Sequence, residues 1–357
     1  MSGATRVASY SVFAGTVGQG VWRSPDSGAS WRRVAYARPN PIVDLEQQVR
    51  AVAVDPRNPL RVYIGDECGL LRSQDGGSKW ERLHGPFDGL CVWSLAIDPV
   101  EPNVIVAGTR PPHFYRSTDG GETWVESSNR LPDTCEIGVP RVTCILFDPT
   151  QHQRVWASLE LGGIYRSLDQ GLNWTRVQSG LPALESRADV HWLSIARGSA
   201  LRPVGNRVQV VPGHEAVLLV TEQDGLFACS GNGERWYQLA TREELPFPYL
   251  RCLVAKQDES QTLFLGVSDQ PIGSTGAILR SQDGGAHWQV LPMPVKPNSG
   301  FFQIATHSAD PDFLWAATVM GELYWSENGG DTWNKAEREL TEIRTLGWTP
   351  NLPAKAL

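Results

Sequence analysis

Short, almost continuous apolar runs recur along the chain, and three of them end in the dipeptide Asp-Pro. They occupy residues 49–56, 92–99 and 142–149. Runs of this length that are apolar at successive positions and end at a turn signal predict strands buried on both faces. Weaker runs of the same kind occur at 191–197, 250–256 and 301–306. We therefore predict a repeated β-structure in which each repeat has one buried inner strand.

A polar motif, Ser-x-Asp-x-Gly-x-x-Trp, follows other short apolar segments along the whole chain. Its clear copies occupy residues 24–31, 73–80, 117–124, 167–174 and 281–288. Two weaker copies lie at 229–236 and 326–333, and Asn328 replaces the aspartate in the last of them. Asp and Gly favour tight turns, because they bond nearby backbone groups and tolerate positive φ. Each copy is therefore predicted to close a hairpin, with the Trp packed at its base.

The spacing of the motif predicts the architecture. Successive motif tryptophans are 44 to 62 residues apart across seven copies, a period typical of propeller blades. We predict an all-β, seven-bladed β-propeller of four-stranded antiparallel blades, forming a single domain over residues 1–357. The first motif comes too early for a complete blade, and residues 343–348 have no motif of their own. We expect this C-terminal segment to become the inner strand of blade one, because ring closure removes exposed strand edges.

On these motifs the chain resembles the Asp-box, or BNR-repeat, propellers. This superfamily includes sialidases, xyloglucan-degrading glycoside hydrolases, the sortilin ectodomain and photosystem II assembly factors, so the resemblance implies a fold rather than one function. The Arg-Ile-Pro element of sialidases does not occur in the sequence. The xyloglucan-degrading relatives typically place one Asp from each of two propellers on a cleft, whereas we expect one ring here. The assembly factors bind partner polypeptides through an arginine-bearing face, catalyse nothing and are exported.

Composition and charge narrow these possibilities. The formal net charge of −7 argues against a nucleic-acid partner, and no apolar run approaches the roughly 18 residues of a membrane span. The N-terminal sequence has no secretory signal. The six cysteines form no Cys-x-x-Cys pair, which favours free thiols in a reducing cytoplasm. We therefore expect a cytoplasmic protein. Because His and Cys lack metal-ligand spacing, we expect no metal and no other cofactor.

Propellers of this family place ligands at one end of the central channel, near the start of the inner strands. Aligning those strands gives an outer ring, which includes His191, and a ring two residues deeper, which includes Leu193. The candidate ligand-binding residues from the rings and the loop at 109–113 are Arg50, Arg141, Arg251, Arg344, Trp93, Arg110 and His113. The candidates for proton transfer are His191, Tyr249, Glu342 and Glu160. Converging arginines indicate bidentate binding of a carboxylate or phosphate.

Two functions remain open on this evidence. In the first, the chain binds a small anionic molecule at the channel mouth and, if catalytic, is a hydrolase or lyase. In the alternative, it is a non-catalytic protein-interaction scaffold, like the photosystem assembly propellers. A polar channel in which Arg and Glu only pair with each other is the simplest possibility. The long loops at 35–47, 126–140 and 178–190 favour a lidded pocket, and residues 199–213 form either a tolerated insertion or a partner-binding loop.

Overall fold

Strands account for nearly all of the regular structure in the computed structural model, which describes residues 9–34, 47–184 and 188–351. In these ranges, two short 3-10 helices span Pro182–Leu184 and Arg242–Glu244. Within the described ranges, no helix has the length and apolar character needed to cross a membrane. All six cysteines are free thiols. The prediction of an all-β propeller is confirmed by the arrangement of the sheets.

The N-terminal strands and the C-terminal strand form one continuous sheet. Its eight strands are β1 (Tyr10–Gly18), β2 (Gly20–Ser24), β3 (Arg32–Arg33), β4 (Gln47–Val54), β5 (Val62–Asp66), β6 (Gly69–Ser73), β7 (Glu81–Leu83) and β29 (Ile343–Pro350). The pairing is antiparallel throughout, and β1 links the sheet because it pairs with β2, β29 and β4.

Five further sheets stand alone as blades. In chain order their strands are β8 (Cys91–Ile97), β9 (Ile105–Arg110), β10 (Phe114–Ser117) and β11 (Val125–Glu126); β12 (Val142–Phe147), β13 (Val155–Leu159), β14 (Gly163–Ser167) and β15 (Thr175–Arg176); β16 (Val190–Val204), β17 (Arg207–Pro212), β18 (Glu215–Glu222), β19 (Gly225–Ser230) and β20 (Arg235–Thr241); β21 (Tyr249–Ala255), β22 (Leu263–Ser268), β23 (Gly276–Ser281) and β24 (Gln289–Val290); β25 (Phe301–Ala305), β26 (Leu314–Thr318), β27 (Leu323–Ser326) and β28 (Asn334–Lys335).

The prediction of seven separate four-stranded blades is wrong. Five sheets are separate blades, and the remaining strands are fused, because the end of β1 pairs Val17 and Gly18 with Gln48 and Gln47 of β4. The β16–β20 sheet also departs from the predicted four strands, since β17 pairs with the second half of β16. The fusion leaves the spacing of the Asp-box motif unchanged, and the added hairpin only lengthens one interval, that between Trp174 and Trp236. The motif count therefore could not reveal how the hydrogen-bonded sheets are divided.

The inner strands surround the central channel and close into a circle. In order around the channel they are β4, β8, β12, β16, β21, β25 and β29, and each contacts the next. The circle is complete because β29 also contacts β4. In the ladder with β1, Tyr10 lies opposite Pro350 and Thr16 opposite Ile343. The expected pairing of the C-terminal segment at the start of the ring is thus present.

The Asp-box turns are held by the bonds that their sequence pattern predicts. In the copy at 117–124, the Asp119 carboxylate accepts bonds from the Ser117 hydroxyl at 2.8 Å and the Thr123 N–H at 2.9 Å. The Ser117 hydroxyl oxygen also accepts from the Gly121 N–H, and the Trp124 indole donates to the Gly121 carbonyl. The turn is therefore stabilised by hydrogen bonds between residues of the motif itself.

Two substitutions of Asp119 distinguish the contribution of its hydrogen bonds to stability from that of its negative charge. We expect Asp119→Ala to lower the free energy of unfolding by about 1–2 kcal/mol, because three donors, the Ser117 hydroxyl and the backbone N–H and hydroxyl of Thr123, lose their acceptor. Asp119→Asn should cost much less, since Asn328 accepts equivalent bonds from Ser326 and the Thr332 N–H. Urea unfolding of the two variants measures the difference. Equal losses would show that the carboxylate charge, rather than its hydrogen bonds, stabilises the turn.

In several repeats, the arginine directly before the Asp-box connects its sheet to the next sheet through a hydrogen bond. In each case its guanidinium donates to the backbone carbonyl of the fourth box residue in the neighbouring sheet, as in Arg72 to Gly120, Arg116 to Gln170, Arg166 to Asn232 and Arg280 to Gly329. In the decayed box, Ala228 occupies the arginine position. There the N–H of Val210 in β17 donates to the matching carbonyl of Gly284 at 2.9 Å. The excursion at 199–213 therefore has a structural role, as a hairpin that replaces the missing arginine.

Proline substitution in β17 tests this role. We expect Val210→Pro to destabilise the protein by about 1–3 kcal/mol more than Val208→Pro, because a buried carbonyl loses its donor. Both side chains are buried, and Val208 has no such bond to the neighbouring sheet among the described residues. Thermal unfolding of the two variants provides the comparison. Equal melting temperatures would mean that the hairpin is a tolerated insertion.

Candidate functional site at the channel mouth

Every inner strand carries a β-bulge near its start. In each strand the ladder skips one residue, namely Arg50, Trp93, Thr143, His191, Arg251, Phe302 and Arg344. The residue before each bulge is an apolar side chain with 0% exposure: Val49, Val92, Val142, Val190, Leu250, Phe301 and Ile343. Bulges re-aim side chains out of the regular alternation. All the bulged residues except Phe302 line one cavity at the end of the channel.

The bulge corrects the alignment in β16. His191, not Leu193, is the bulged residue and is equivalent to Arg50. The outer position two residues earlier therefore belongs to Asp189, which the sequence alignment missed. Asp189 lines the cavity beside His191. The available signal was Val190, because a fully buried apolar residue precedes the bulge in every inner strand.

Two aromatic rings at the mouth each contact two guanidinium groups. Trp93 lies between Arg141 and Arg50, whose guanidinium carbons are 4.2 and 4.5 Å from the ring centroid. Phe302 contacts Arg251 at 4.6 Å and Arg344 at 5.6 Å. Such contacts attract the cation to the ring face and remove water from it. The four predicted arginines are thus held together at one end of the channel.

Carboxylates neutralise only part of this positive charge. Arg141 forms an ion pair with the buried Glu160, and Arg344 forms one with Glu342. Arg50 instead donates to the neutral side chain of Gln48. Among the described residues, no carboxylate lies within ion-pair distance of Arg50 or Arg251. Within the described ranges, the cavity therefore contains two guanidinium groups without a carboxylate partner.

Burial and mutual repulsion disfavour the charged arginines. Burial, together with the nearby Arg344 guanidinium, lowers the pKa of Arg50 to about 10. Burial also lowers the pKa of Arg141 and of Arg344, although Glu160 and Glu342 oppose the change. A pKa near 10 still leaves Arg50 protonated at neutral pH. A bound anion would relieve this repulsion, which favours anion binding.

His191 bridges the backbone and a carboxylate. Its Nδ1 is 2.6 Å from the Leu250 carbonyl oxygen, and its Nε2 is 3.2 Å from Asp189 Oδ2. Since both partners are acceptors, a hydrogen bond on each side requires a proton on each ring nitrogen. The Tyr249 ring lies 4.9 Å from the His191 ring, so two of the four predicted proton-transfer residues are adjacent.

Two carboxyl groups in the cavity have their pKa values moved in opposite directions. Burial raises the pKa of Glu160, and the Asp189 charge adds to this while Arg141 opposes it. Burial also acts to raise the pKa of Asp189, but the hydrogen bond and charge of His191 outweigh it and hold that pKa below its usual range. Such divergence is typical of acid–base pairs. Both groups are, however, already bonded to a basic side chain.

Two predicted ligand-binding residues lie outside the cavity lining. Arg110 is exposed and its Nε donates to the Val139 carbonyl at 3.1 Å. His113 Nδ1 is 2.7 Å from Glu126 Oε1. Of the predicted lid loops, residues 35–46 fall outside the described residues. The loop at 126–140 contributes no lining residue, and of the described residues in the segment at 178–190 only the last two line the cavity. The described part of the mouth is therefore open rather than lidded.

Comparisons with known proteins identify the repeat. The BNR/Asp-box repeat model matches residues 115–126. The chain is 23% identical over 289 residues to a probable oligoxyloglucan-reducing end-specific xyloglucanase of Neosartorya fischeri, with 70% of this chain and 35% of the enzyme covered. It is 24% identical over 319 residues to the photosystem II assembly lipoprotein Ycf48 of Synechococcus sp., with 86% and 82% covered. The chain thus spans about a third of that xyloglucanase but most of Ycf48.

Solved structures agree with the fold. YCF48 bound to D1 peptide superposes with a TM-score of 0.55 at 20% identity, covering 81% of each chain. YCF48 from Cyanidioschyzon merolae gives 0.56 at 16% identity, covering 87% of this chain and 88% of that one. The resemblance to the Asp-box propellers is therefore confirmed. The relatives include both hydrolases and an assembly factor.

Proposed function

We propose that this chain is a non-catalytic binding protein whose channel mouth holds the C-terminal carboxylate of a polypeptide partner. The observation that carries the proposal is the pair Arg50 and Arg251, which face one cavity and have no carboxylate partner in the part of the chain that the structure describes. Each guanidinium presents paired N–H donors, which match the two oxygens of a carboxylate. The aromatic rings of Trp93 and Phe302 fix the guanidinium planes beforehand, which reduces the entropy lost on binding.

A polypeptide is the ligand class that the comparisons favour. Similarity to Ycf48 extends over most of both chains, and one similar structure is YCF48 bound to D1 peptide. The carboxylates in the cavity support binding over catalysis, because Glu160 pairs with Arg141 and Asp189 with His191. The mouth is also open in the described residues, which suits a chain end that enters from outside.

A library of synthetic octapeptides tests the proposal, with each sequence made as a C-terminal free acid and as an amide. We expect some free acids to bind, and their amides to bind at least about tenfold more weakly, because a charged hydrogen bond contributes about 1.5–3 kcal/mol. Succinate and phosphate serve as small-anion controls. Equal binding of acid and amide forms would overturn the carboxylate site. Tighter binding of succinate or phosphate than of every peptide would favour the small-molecule function.

A hydrolase is the second candidate, supported by the opposite pKa shifts of Glu160 and Asp189. In this function Glu160 would donate a proton and Asp189 would act as the ionised partner. Xyloglucan oligosaccharides are the substrates to test, and reducing ends released over time are the measurement. Turnover that Glu160→Gln abolishes would favour this function over the binding protein. Absence of turnover in the folded wild type would eliminate it for this substrate.

A further inference from the structure

Three inner strands end at a buried aspartate that caps the following turn. One carboxylate oxygen of Asp55, Asp98 and Asp148 accepts the backbone N–H groups two and three residues later. The side chains are 3%, 0% and 1% exposed. These three positions are equivalent in the repeat, so the partners of the second carboxylate oxygen can be compared directly.

In two of the three turns, an arginine six residues later neutralises the second oxygen. Asp55 pairs with Arg61, and Asp148 pairs with Arg154. The equivalent residue after Asp98 is Val104. Asp98 is the most buried of the three carboxylates, and among the described residues its second oxygen lies 2.9 Å from an imidazole nitrogen, His152 Nδ1, where its counterparts have a guanidinium. An imidazole carries charge only when it is protonated, so a buried Asp98 beside a neutral His152 calls for another source of positive charge.

The groups that surround the second oxygen of Asp98 form a ligand set for a metal. Single ligand atoms of Asp98, Glu101 and His152 lie within 4.8 Å of one another. Gln170 Nε2 is 3.1 Å from Asp98 Oδ2, from Glu101 Oε2 and from His152 Nδ1. An amide nitrogen has two hydrogens, so when His152 Nδ1 is unprotonated it cannot satisfy all three acceptors. Its equal distances mark the point where a positive group is best placed.

The Arg116 guanidinium, which bonds Gln170, does not supply that charge. Arg116 donates to the backbone carbonyl and the side-chain oxygen of Gln170, at 2.9 and 3.1 Å. It therefore reaches the far side of the glutamine rather than the carboxylates. The cluster also spans two sheets, since Asp98 and Glu101 follow β8 while His152 follows β12. No sequence motif could predict it, because the ligands come from separate turns.

We propose that Asp98, Glu101 and His152 bind one divalent transition-metal ion, of the Zn²⁺ or Mn²⁺ class, in place of the missing arginine. Two carboxylate oxygens and one imidazole nitrogen suit these ions. The ion displaces the Gln170 amide nitrogen from the centre of the cluster. It links the β8–β11 sheet to the β12–β15 sheet on the Asp-box side of the molecule. The site is independent of the arginine-lined mouth and of the function proposed for it.

Metal titration of the EDTA-treated full chain tests the site. We expect calorimetry with ZnCl₂ and with MnCl₂ to give one site per chain, and saturation to raise the melting temperature. Glu101→Gln and His152→Ala should each weaken binding by about tenfold or more. His84→Ala is the matched control, because His84 and Asp88 form an exposed histidine–carboxylate pair at 3.1 Å. That variant should bind as tightly as the wild type.

Val104→Arg provides a test that does not remove a ligand. By analogy with Asp55–Arg61 and Asp148–Arg154, the new guanidinium should pair with Asp98 and abolish metal binding while the chain remains folded. Metal binding by Val104→Arg with wild-type affinity would overturn the proposal. So would wild-type affinity in His152→Ala, or failure of the folded wild type to bind either ion. Loss of binding in His84→Ala alone would identify adventitious surface binding.

Discussion

Deletion of residues 343–357 is expected to prevent the chain from folding. The deletion removes β29, which closes the circle of inner strands between β25 and β4. It also removes three buried side chains, Ile343, Leu346 and Trp348. Truncation of one buried Trp or Leu costs about 2–5 kcal/mol, whereas a whole domain has about 5–15 kcal/mol of stability. The loss should therefore exceed the total, and circular dichroism should show no cooperative melting transition.

Two matched variants make this expectation specific. Deletion of residues 352–357 keeps all of β29 and should leave the melting temperature close to that of the full chain. Trp348→Ala keeps the ladder but removes the ring that packs on Tyr10 and Phe313, and should cost about 3–5 kcal/mol. A chain without residues 343–357 that melts cooperatively at the full-length temperature would contradict ring closure.

Arg251→Ala is expected to weaken binding of a free-acid peptide by about 10- to 100-fold. Arg251 has no carboxylate partner among the described residues, so its loss removes a charge-assisted bond without leaving a buried anion behind. The variant should fold normally, since only the contact with Phe302 is lost. Calorimetric titration of a peptide selected from the library gives the affinity.

Two further substitutions separate charge from geometry. Arg251→Lys keeps the charge but loses the paired donors, so we expect an intermediate loss of affinity. Arg110→Ala removes an exposed arginine outside the cavity lining and should change affinity less than about threefold, through long-range charge alone. If Arg110→Ala and Arg251→Ala weaken binding equally, the arginines act through overall charge and no defined site exists.

The sequence predicted those features of the fold that depend on local sequence patterns. The Asp-box turns and the buried runs that end in Asp-Pro are local patterns, and they correctly predicted an all-β propeller with a C-terminal strand in the first sheet. The division into sheets was wrong, because the pairing of Val17 and Gly18 with β4 depends on how far β1 extends. Hydrogen bonds between strands of different repeats leave no mark on motif spacing.

The clustering of the candidate residues could be predicted only in part. Arg50, Arg251 and Arg344 recur at the bulge position of their inner strands, and Arg141 lies two residues before the bulge of β12, so all four reach one cavity. The alignment of β16 was wrong by two residues, which placed Leu193 where His191 belongs and missed Asp189. This strand runs on to Val204 without the Asp-Pro signal that ends β4, β8 and β12, so its sequence offers no fixed point for the alignment. The sequence did not show that Val104 stands where two other repeats have an arginine that pairs with a buried aspartate. That difference could be recognised only when the three buried aspartates were compared in the structure.

Arginine modification by phenylglyoxal, mapped by mass spectrometry with and without bound free-acid peptide, tests the carboxylate site most directly. We predict that the peptide slows modification of Arg50 and Arg251 while Arg110 reacts at an unchanged rate. Equal rates at Arg50 and Arg251 in the presence and absence of saturating peptide would contradict the account.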